Sequence, residues 1–172
     1  MSSGDSSFVV VSLSPLPESF FRALFAPYTA VLGRPLEIIV LDDPSDVERA
    51  RSALERADVV IGDYTFRFKI TREVCGWMKK VRLIAQPSTG YDHIDIEACR
   101  EKGIPVANAG GANAVSVAEY TIMAALALFR RLIKAHNDLA SGRWSQWELM
   151  DLGTYDLYGK TCLLYTSPSP RD

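Results

Sequence analysis

The sequence predicts a doubly wound α/β domain with a parallel, flavodoxin-like sheet. Two observations predict this class: short runs rich in β-branched residues are apolar along their whole length, and segments with helical character separate them. Strands that are apolar on both faces need cover on both faces, which right-handed crossover helices provide around a parallel sheet. A chain of 172 residues with 48% hydrophobic residues is long enough to form such a domain with its own core.

The predicted elements alternate along the chain. The β-rich runs occupy residues 8–13, 36–41, 58–62, 81–86 and 104–108. The helical segments between them occupy residues 18–30, 45–57, 71–79 and 94–102. This alternation is typical of consecutive β-α-β units.

Capping residues mark several predicted helix starts. Ser45 with Glu48, and Ser116 with Glu119, follow the S-x-x-E pattern of a capping box, in which each side chain accepts a hydrogen bond from an unpaired backbone N–H. Thr71 is placed to cap the third helix.

The helix predicted to open at Ser116 is the most apolar in the chain. It is apolar nearly all round from Ile122 to Phe129 and becomes basic from Arg130 to Lys134, as suits a C-terminal end. A helix that is apolar on every face has to be covered on every face. The sequence therefore predicts that a second domain lies against it.

Composition excludes several function classes. A net charge of −2 does not favour a nucleic-acid surface. The N-terminal apolar run is too short for a signal peptide, and no apolar run approaches the ~20 residues of a membrane span. The cysteines share no CxxC spacing and the histidines are only His93 and His136, so we expect reduced thiols, no metal and a cytoplasmic protein.

Two loops poor in bulky side chains follow the fourth and fifth strands, at residues 87–95 and 109–116. Parallel sheets bind ligands at the carboxyl ends of their strands. Glycines such as Gly90 and Gly110 allow close approach of backbone N–H groups, the following helix adds partial positive charge, and Asn113 offers an amide donor. These features predict a seat for a small carboxylate. In the alternative, the glycines only form turns and Asn113 caps locally.

Three motifs occur in order in the second half of the chain. They are G-x-D-x-[IV]-D at residues 90–95, a small-residue loop running into S-V-A-E at 108–119, and L-x-G-K-T at 157–161. With them, the chain resembles the NAD-dependent D-isomer-specific 2-hydroxyacid dehydrogenases, the family of D-3-phosphoglycerate, D-lactate, glyoxylate/hydroxypyruvate and formate dehydrogenases. One departure is Ala109, where many members have proline.

The resemblance implies roles for individual residues. Ser88, Thr89 and Gly90 fall on the loop that faces the substrate carboxylate and the nicotinamide, and are expected to bind substrate. Asn113 falls where formate dehydrogenases place a substrate-binding asparagine. Thr89 and Val117 fall at cofactor-facing positions.

Nearby titratable residues are expected to be structural. Asp92 and Asp95 suit turn bonding and the capping of the helix that follows. His93 lies within the motif and is expected next to the cleft, but in the family the histidine that transfers the proton comes much later in the chain. The loop at residues 64–69 is expected to shape specificity.

The cofactor motif is absent from the sequence, which contains no G-x-G-x-x-G. In the family this motif follows L-x-G-K-T, together with an Arg, a Glu and a His that act on the substrate. The resemblance therefore implies the N-terminal part of an NAD- or NADP-dependent oxidoreductase acting on the CH–OH group of a small 2-hydroxy or 2-oxo acid. We expect the catalytic residues beyond Thr161, no activity and no bound cofactor in this fragment, and a homodimer at full length.

The expected organisation has five parts. They are a flexible N-terminus (1–7), a substrate-binding domain (8–114), an interdomain helix (115–140), a linker toward the cofactor domain (141–161) and a non-native tail (162–172). The tail, CLLYTSPSPRD, matches an in-frame translation of a sequencing-library adapter. The alternative is a natural Pro/Ser-rich tail.

Two other functions compete with the enzyme. One is a receiver-like binding module, suggested by the acidic pair Asp42 and Asp43, although a receiver has its acids after the first strand and a lysine after the fifth. The other is a dehydrogenase-like transcriptional corepressor, which keeps the fold and acts through protein partners.

Overall fold

The computed structural model describes residues 7–162, which divide into two compact units, one ending at Ala112 and the other beginning at Asn113. The first unit contains five parallel strands. They are β1 (Phe8–Ser12), β2 (Leu36–Val40), β3 (Val59–Ile61), β4 (Leu83–Gln86) and β5 (Val106–Asn108). The strand order β2-β1-β3-β4-β5 is the flavodoxin-like order. The predicted fold class is therefore confirmed.

Helices connect successive strands of the first unit. They are α1 (Glu18–Phe25), α2 (Thr29–Leu32), α3 (Val47–Arg56), α4 (Arg72–Trp77) and α5 (Ile96–Glu101). The helical segment predicted at 18–30 is confirmed, but a 3₁₀ turn at Ala26–Tyr28 divides it into α1 and α2. The turn contains Pro27, which lacks the N–H that a continuous helix requires.

Alternate residues of β1 enter the core on opposite faces of the sheet. Val9 and Val11 belong to a large cluster that extends to α3, α4 and α5. Val10 belongs to a smaller cluster with Phe21 of α1 and Ile38 of β2. Both faces of the sheet are therefore covered, which explains why its strands are apolar without alternation.

Two of the predicted helix starts in the first unit are right and one is wrong. Thr71 caps α4 by accepting from the N–H of Val74 over 3.3 Å, and Asp95 caps α5. The capping box at Ser45 is wrong, because the neighbouring Asp46 accepts the first-turn N–H of α3 instead. The Ser45 hydroxyl donates to the carboxylate of Asp43 over 2.7 Å.

The second unit contains α6 (Ala114–Phe129), α7 (Leu132–Ala140) and α8 (Gln146–Asp151). The capping box at Ser116 is wrong, because α6 begins at Ala114 and Ser116 lies inside its first turn. A single helix over 115–140 is also wrong, and the expected linker at 141–161 contains α8. The predictions for residues 1–6 and 163–172 lie outside the described residues.

Arg131 lies in the short turn that separates α6 from α7. Its backbone adopts the left-handed conformation, with φ 54°, which is unfavourable for a residue with a side chain. The Arg131 guanidinium donates to the carbonyl oxygens of Leu152 and Gly153 over 3.2 and 3.1 Å. These bonds hold the segment that follows α8 against the turn at Arg131. They offset the unfavourable backbone conformation of Arg131.

A charged cluster joins α7 to α8. The buried carboxylate of Asp138 accepts from Lys134 over 3.0 Å and pairs with Arg143, and Lys134 also pairs with Glu148 over 2.8 Å. A hydrogen bond from Ser145, with those from Lys134 and Arg143, lowers the pKa of Asp138 to about 2. Asp138 is thus an ionised anchor within the second unit.

Candidate substrate-facing loops

The candidate site of the first unit lies at the carboxyl edge of the sheet. Strands β4 and β5 run in register so that Gln86 is paired with Asn108, and both strands end there. The loop with Ser88, Thr89 and Gly90 therefore begins beside the segment that leaves β5. This placement agrees with the edge where a parallel sheet binds its ligands.

Hydrogen bonds join the two segments. The side-chain amide of Asn108 donates to the carbonyl oxygen of Thr89 over 2.7 Å, and the N–H of Ala109 donates to the carbonyl oxygen of Ser88 over 3.1 Å. The Thr89 hydroxyl lies 3.5 Å from the carbonyl oxygen of Ala109. The end of β5 thus holds the loop after β4. It does so although residue 109 is alanine, the position at which the motif of the sequence departs from proline.

The Ser88 hydroxyl is engaged within the loop. It accepts from the side-chain amide of Gln86 over 2.6 Å and donates to the carbonyl oxygen of Gly90 over 2.9 Å. Gln86 itself is buried at the end of β4. Ser88 therefore fixes the shape of the loop with its side chain.

Gly62 lies against the side chain of Gln86. A Cβ atom at residue 62 would lie 1.9 Å from the Oε1 atom at the end of that side chain, which would have to move aside. Gln86 Nε2 also lies 3.4 Å from the carbonyl oxygen of Asp63. The backbone that follows β3 therefore packs against the Gln86 side chain at the end of β4.

Asp63 organises the turn after β3. Its buried carboxylate accepts from the N–H groups of Thr65, Arg67 and Phe68 and from the Thr65 hydroxyl, all within 3.0 Å. Burial alone would raise the pKa of Asp63, but these hydrogen bonds outweigh it and the pKa is lowered. Asp63 was not singled out from the sequence, although Asp followed two residues later by Thr is a signal for a side-chain-bonded turn.

The same turn brings Phe66 next to Gly90. Phe66 has a left-handed backbone with φ 61°, and its ring edge would lie 3.4 Å from a Cβ atom at residue 90. The ring also meets the buried His93 edge-on, with centroids 4.7 Å apart. The loop expected to shape specificity therefore contacts the loop expected to bind substrate.

His93 is part of the packing beneath these loops. Neither of its ring nitrogens has a hydrogen-bond partner among the described residues. Burial lowers the pKa of His93, against the opposing effect of Asp63 and Asp92. A neutral, packed ring fits the structural role expected from the sequence.

The remaining predicted site residues belong to the second unit. Asn113 precedes the first turn of α6, and its carbonyl oxygen accepts from the N–H of Val117 over 3.0 Å. Val117 is half exposed on the same helix. Among residues 7–162, no three His, Cys, Asp or Glu side chains gather to hold a metal, and no helix is long and apolar enough to cross a membrane.

Residues 12–167 match the family of D-isomer specific 2-hydroxyacid dehydrogenases, in its catalytic domain. The chain belongs to this family. The family indicated by the motifs in the sequence is therefore confirmed.

Curated relatives of the chain are longer dehydrogenases. A formate dehydrogenase of Pichia angusta is 36% identical over 122 residues, which are 67% of this chain and 33% of the relative. A D-3-phosphoglycerate dehydrogenase of Methanocaldococcus jannaschii is 40% identical over 93 residues, which are 54% of this chain and 17% of the relative. The matched part of the chain thus spans a third or less of these two relatives.

Solved structures share the fold. The NAD-dependent formate dehydrogenase of Staphylococcus aureus in complex with NAD has a TM-score of 0.64 at 25% identity, over 86% of this chain and 46% of that one. The D-lactate dehydrogenase of Aquifex aeolicus complexed with NAD and lactic acid has a TM-score of 0.62 at 28% identity, over 79% and 38%. Both resemble this chain over less than half of their own length.

Proposed function

We propose that this chain forms part of an oxidoreductase that transfers hydride between a nicotinamide cofactor and a small D-2-hydroxy acid or its 2-oxo acid. The observation that carries the proposal is the family match over residues 12–167. Formate, D-lactate and D-3-phosphoglycerate dehydrogenases among the relatives support small acids as the substrate class. NAD in two related structures supports a nicotinamide cofactor.

The residues of this chain do not provide a complete cofactor site. Its sequence contains no G-x-G-x-x-G, the turn whose glycines admit a dinucleotide pyrophosphate to a helix N-terminus. The proposed contribution of the chain to the cofactor is limited to Thr89 and Val117. We propose that the chain alone binds neither NAD nor NADP and carries no catalytic residue.

Within the first unit, the proposed substrate-binding residues are Ser88, Thr89 and Gly90. Their loop is held on one side by Asn108 and on the other by Gln86, so its backbone geometry is set before a ligand arrives. Such preorganisation reduces the entropy that binding would otherwise cost. In the second unit, Asn113 is proposed as a further amide donor to the acid.

The second unit presents an apolar surface that supports association. No residue of α6 is buried, although the helix is predominantly apolar. Exposed apolar side chains of this unit include Val115, Tyr120, Leu128, Ile133, Trp144 and Trp147. Exposed patches of this kind mark interfaces. We propose that a second copy and the cofactor domain cover them in a homodimeric enzyme.

The proposed compartment is the cytoplasm. Cys75 and Cys99 are free thiols that lie together in the core of the first unit. Adjacent thiols that remain reduced are typical of a reducing compartment.

A grafted enzyme tests the proposed activity. Residues 8–161 replace the matching segment of the Staphylococcus aureus formate dehydrogenase, which keeps its own NAD-binding part. We expect a change in absorbance of the reduced nicotinamide with glyoxylate, hydroxypyruvate, pyruvate, phosphohydroxypyruvate or formate. A grafted protein that folds and binds NAD but turns over none of these acids contradicts the proposal and favours the corepressor.

A further inference from the structure

Two buried cysteines meet where α4 and α5 pack together. The Sγ atoms of Cys75 and Cys99 lie 3.5 Å apart. Each residue is only 1% exposed, and both belong to the main core cluster. The chain therefore brings two thiols into contact from positions 24 residues apart.

Polar contacts on both sides hold the two helices in this arrangement. Arg72, at the start of α4, forms a two-pronged ion pair with Glu101, at the end of α5. The ammonium group of Lys102 donates to the carbonyl oxygen of Gly76 over 3.3 Å. The helix packing thus keeps the two thiols in contact, and an S–S bond of about 2.05 Å requires the sulfurs to approach by roughly 1.5 Å.

The two sulfurs are chemically unequal. The hydrogen bond that the two thiols share lowers the pKa of Cys75, with a further contribution from Lys102 and Arg72 and opposition from burial and Asp95. The same hydrogen bond and burial raise the pKa of Cys99. The pair therefore contains a thiol with a lowered pKa, and the thiolate is the nucleophilic form.

A surface pocket reaches one of the two cysteines, Cys99. Its volume is about 520 Å³, and Cys99 lines it together with Tyr91, Ile96, Ile104 and Val106. This volume is ample for a small neutral oxidant such as hydrogen peroxide. The pocket lies entirely within the first unit.

We propose that Cys75 and Cys99 form a peroxide-sensitive modification site that closes into an intramolecular disulfide. One cysteine sulfur attacks the peroxide O–O bond, giving a sulfenic acid and one water. The other cysteine sulfur then attacks the sulfenic sulfur, forming the S–S bond and releasing a second water. Two thiols are oxidised by two electrons and one peroxide is reduced, so the reaction balances.

The disulfide encloses the substrate-facing loop. The chain between the two cysteines contains β4 and the loop with Ser88, Thr89 and Gly90. A bond from α4 to α5 closes this segment into a ring and restricts the unfolded chain. Oxidation thus stabilises the segment on which the proposed substrate contacts of the first unit depend.

Peptide mapping tests the site directly in the 172-residue chain carrying Cys162→Ser, which removes the exposed third cysteine. After peroxide treatment we expect a mass loss of about 2 Da relative to the reduced protein, from two hydrogen atoms. Trypsin should then release residues 73–79 and 83–100 as one linked product that separates on reduction. Cys75→Ser and Cys99→Ser should each abolish this product.

Thermal unfolding provides a second readout. Oxidation of the Cys162→Ser protein should raise its Tm by about 5 °C or more, and reduction should reverse the rise. The pairing is overturned if peroxide yields only sulfinic acid or unchanged thiols in protein with both cysteines intact. This result does not depend on whether the single variants fold.

Discussion

The side-chain amide of Asn108 donates to the carbonyl oxygen of Thr89 over 2.7 Å, so the last residue of β5 holds the loop that follows β4. The N–H of Ala109 reinforces the link by donating to Ser88. Two segments that are distant in sequence therefore keep one geometry at the edge of the sheet. The proposed substrate contacts of the first unit depend on that geometry.

Asn108→Ala should loosen the loop without unfolding the chain. Loss of one hydrogen bond between neutral groups lowers the free energy of unfolding by about 1 kcal/mol. Amide hydrogen exchange across residues 87–91 should become faster, as measured by mass spectrometry. Asn137→Ala, which removes an exposed amide on α7, is the matched control and should leave that exchange unchanged. Equal exchange in the two variants would show that Asn108 does not hold the loop.

Two glycine substitutions should have opposite effects on stability. Gly62→Ala places a Cβ atom 1.9 Å from Gln86 Oε1, so the buried Gln86 side chain must shift, which should cost about 1 to 3 kcal/mol. Gly76→Ala has open space in α4 and should stabilise the protein by about 0.5 to 1 kcal/mol. Urea denaturation measures both. A Gly62→Ala protein as stable as the parent would contradict the packing of Gln86.

His93 should make the protein less stable in mild acid. Burial lowers its pKa in the fold, so the folded protein binds fewer protons than the unfolded chain. The associated stability is fully present above the unfolded pKa of about 6.5 and is lost as the pH falls through the lower folded value. His93→Phe, which keeps a ring against Phe66, should flatten the Tm profile between about pH 7 and 5. His136→Gln, at an exposed position, should leave the profile as steep as in the parent.

The apolar surface of α6 and α7 should cause self-association. Leu128 and Ile133 are about 73% and 68% exposed, so replacing both with lysine removes apolar contact area without disturbing a core. We expect this double variant to be more monomeric than the parent in analytical ultracentrifugation, with an unchanged Tm. Val31→Lys, at an 85% exposed position in the first unit, is the control. If both variants associate like the parent, the surface is not the interface.

The sequence predicted the sheet well because each strand carries its own signal. Runs such as the one at Val9 to Val11 are apolar on both faces, and only a covered parallel sheet accommodates them. Helix ends were less predictable where adjacent residues compete, as Ser45 and Asp46 do for one cap. The break at Arg131 was missed because it is supported by carbonyl groups about 20 residues later in the chain.

The candidate site could be predicted only in part, because some of its contacts join parts of the chain that are distant in sequence. Gly90 and its neighbours were singled out because glycine-rich loops after strands are a local signal. Phe66, Gln86 and Asn108 were not singled out, because each acts through a contact to another strand or loop. Their roles follow from the register of the sheet, which composition and spacing do not reveal.

The central claim is that polar residues of this chain bind the carboxylate of a small acid, and the kcat/KM of Asn113→Ala in the grafted enzyme tests it most directly. A hydrogen bond to a charged ligand contributes ~1.5 to 3 kcal/mol, so kcat/KM should fall roughly ten- to a hundredfold. Asn137→Ala in the same enzyme should retain the parent kcat/KM. An Asn113→Ala enzyme with the kinetics of the Asn137→Ala control would contradict the claim.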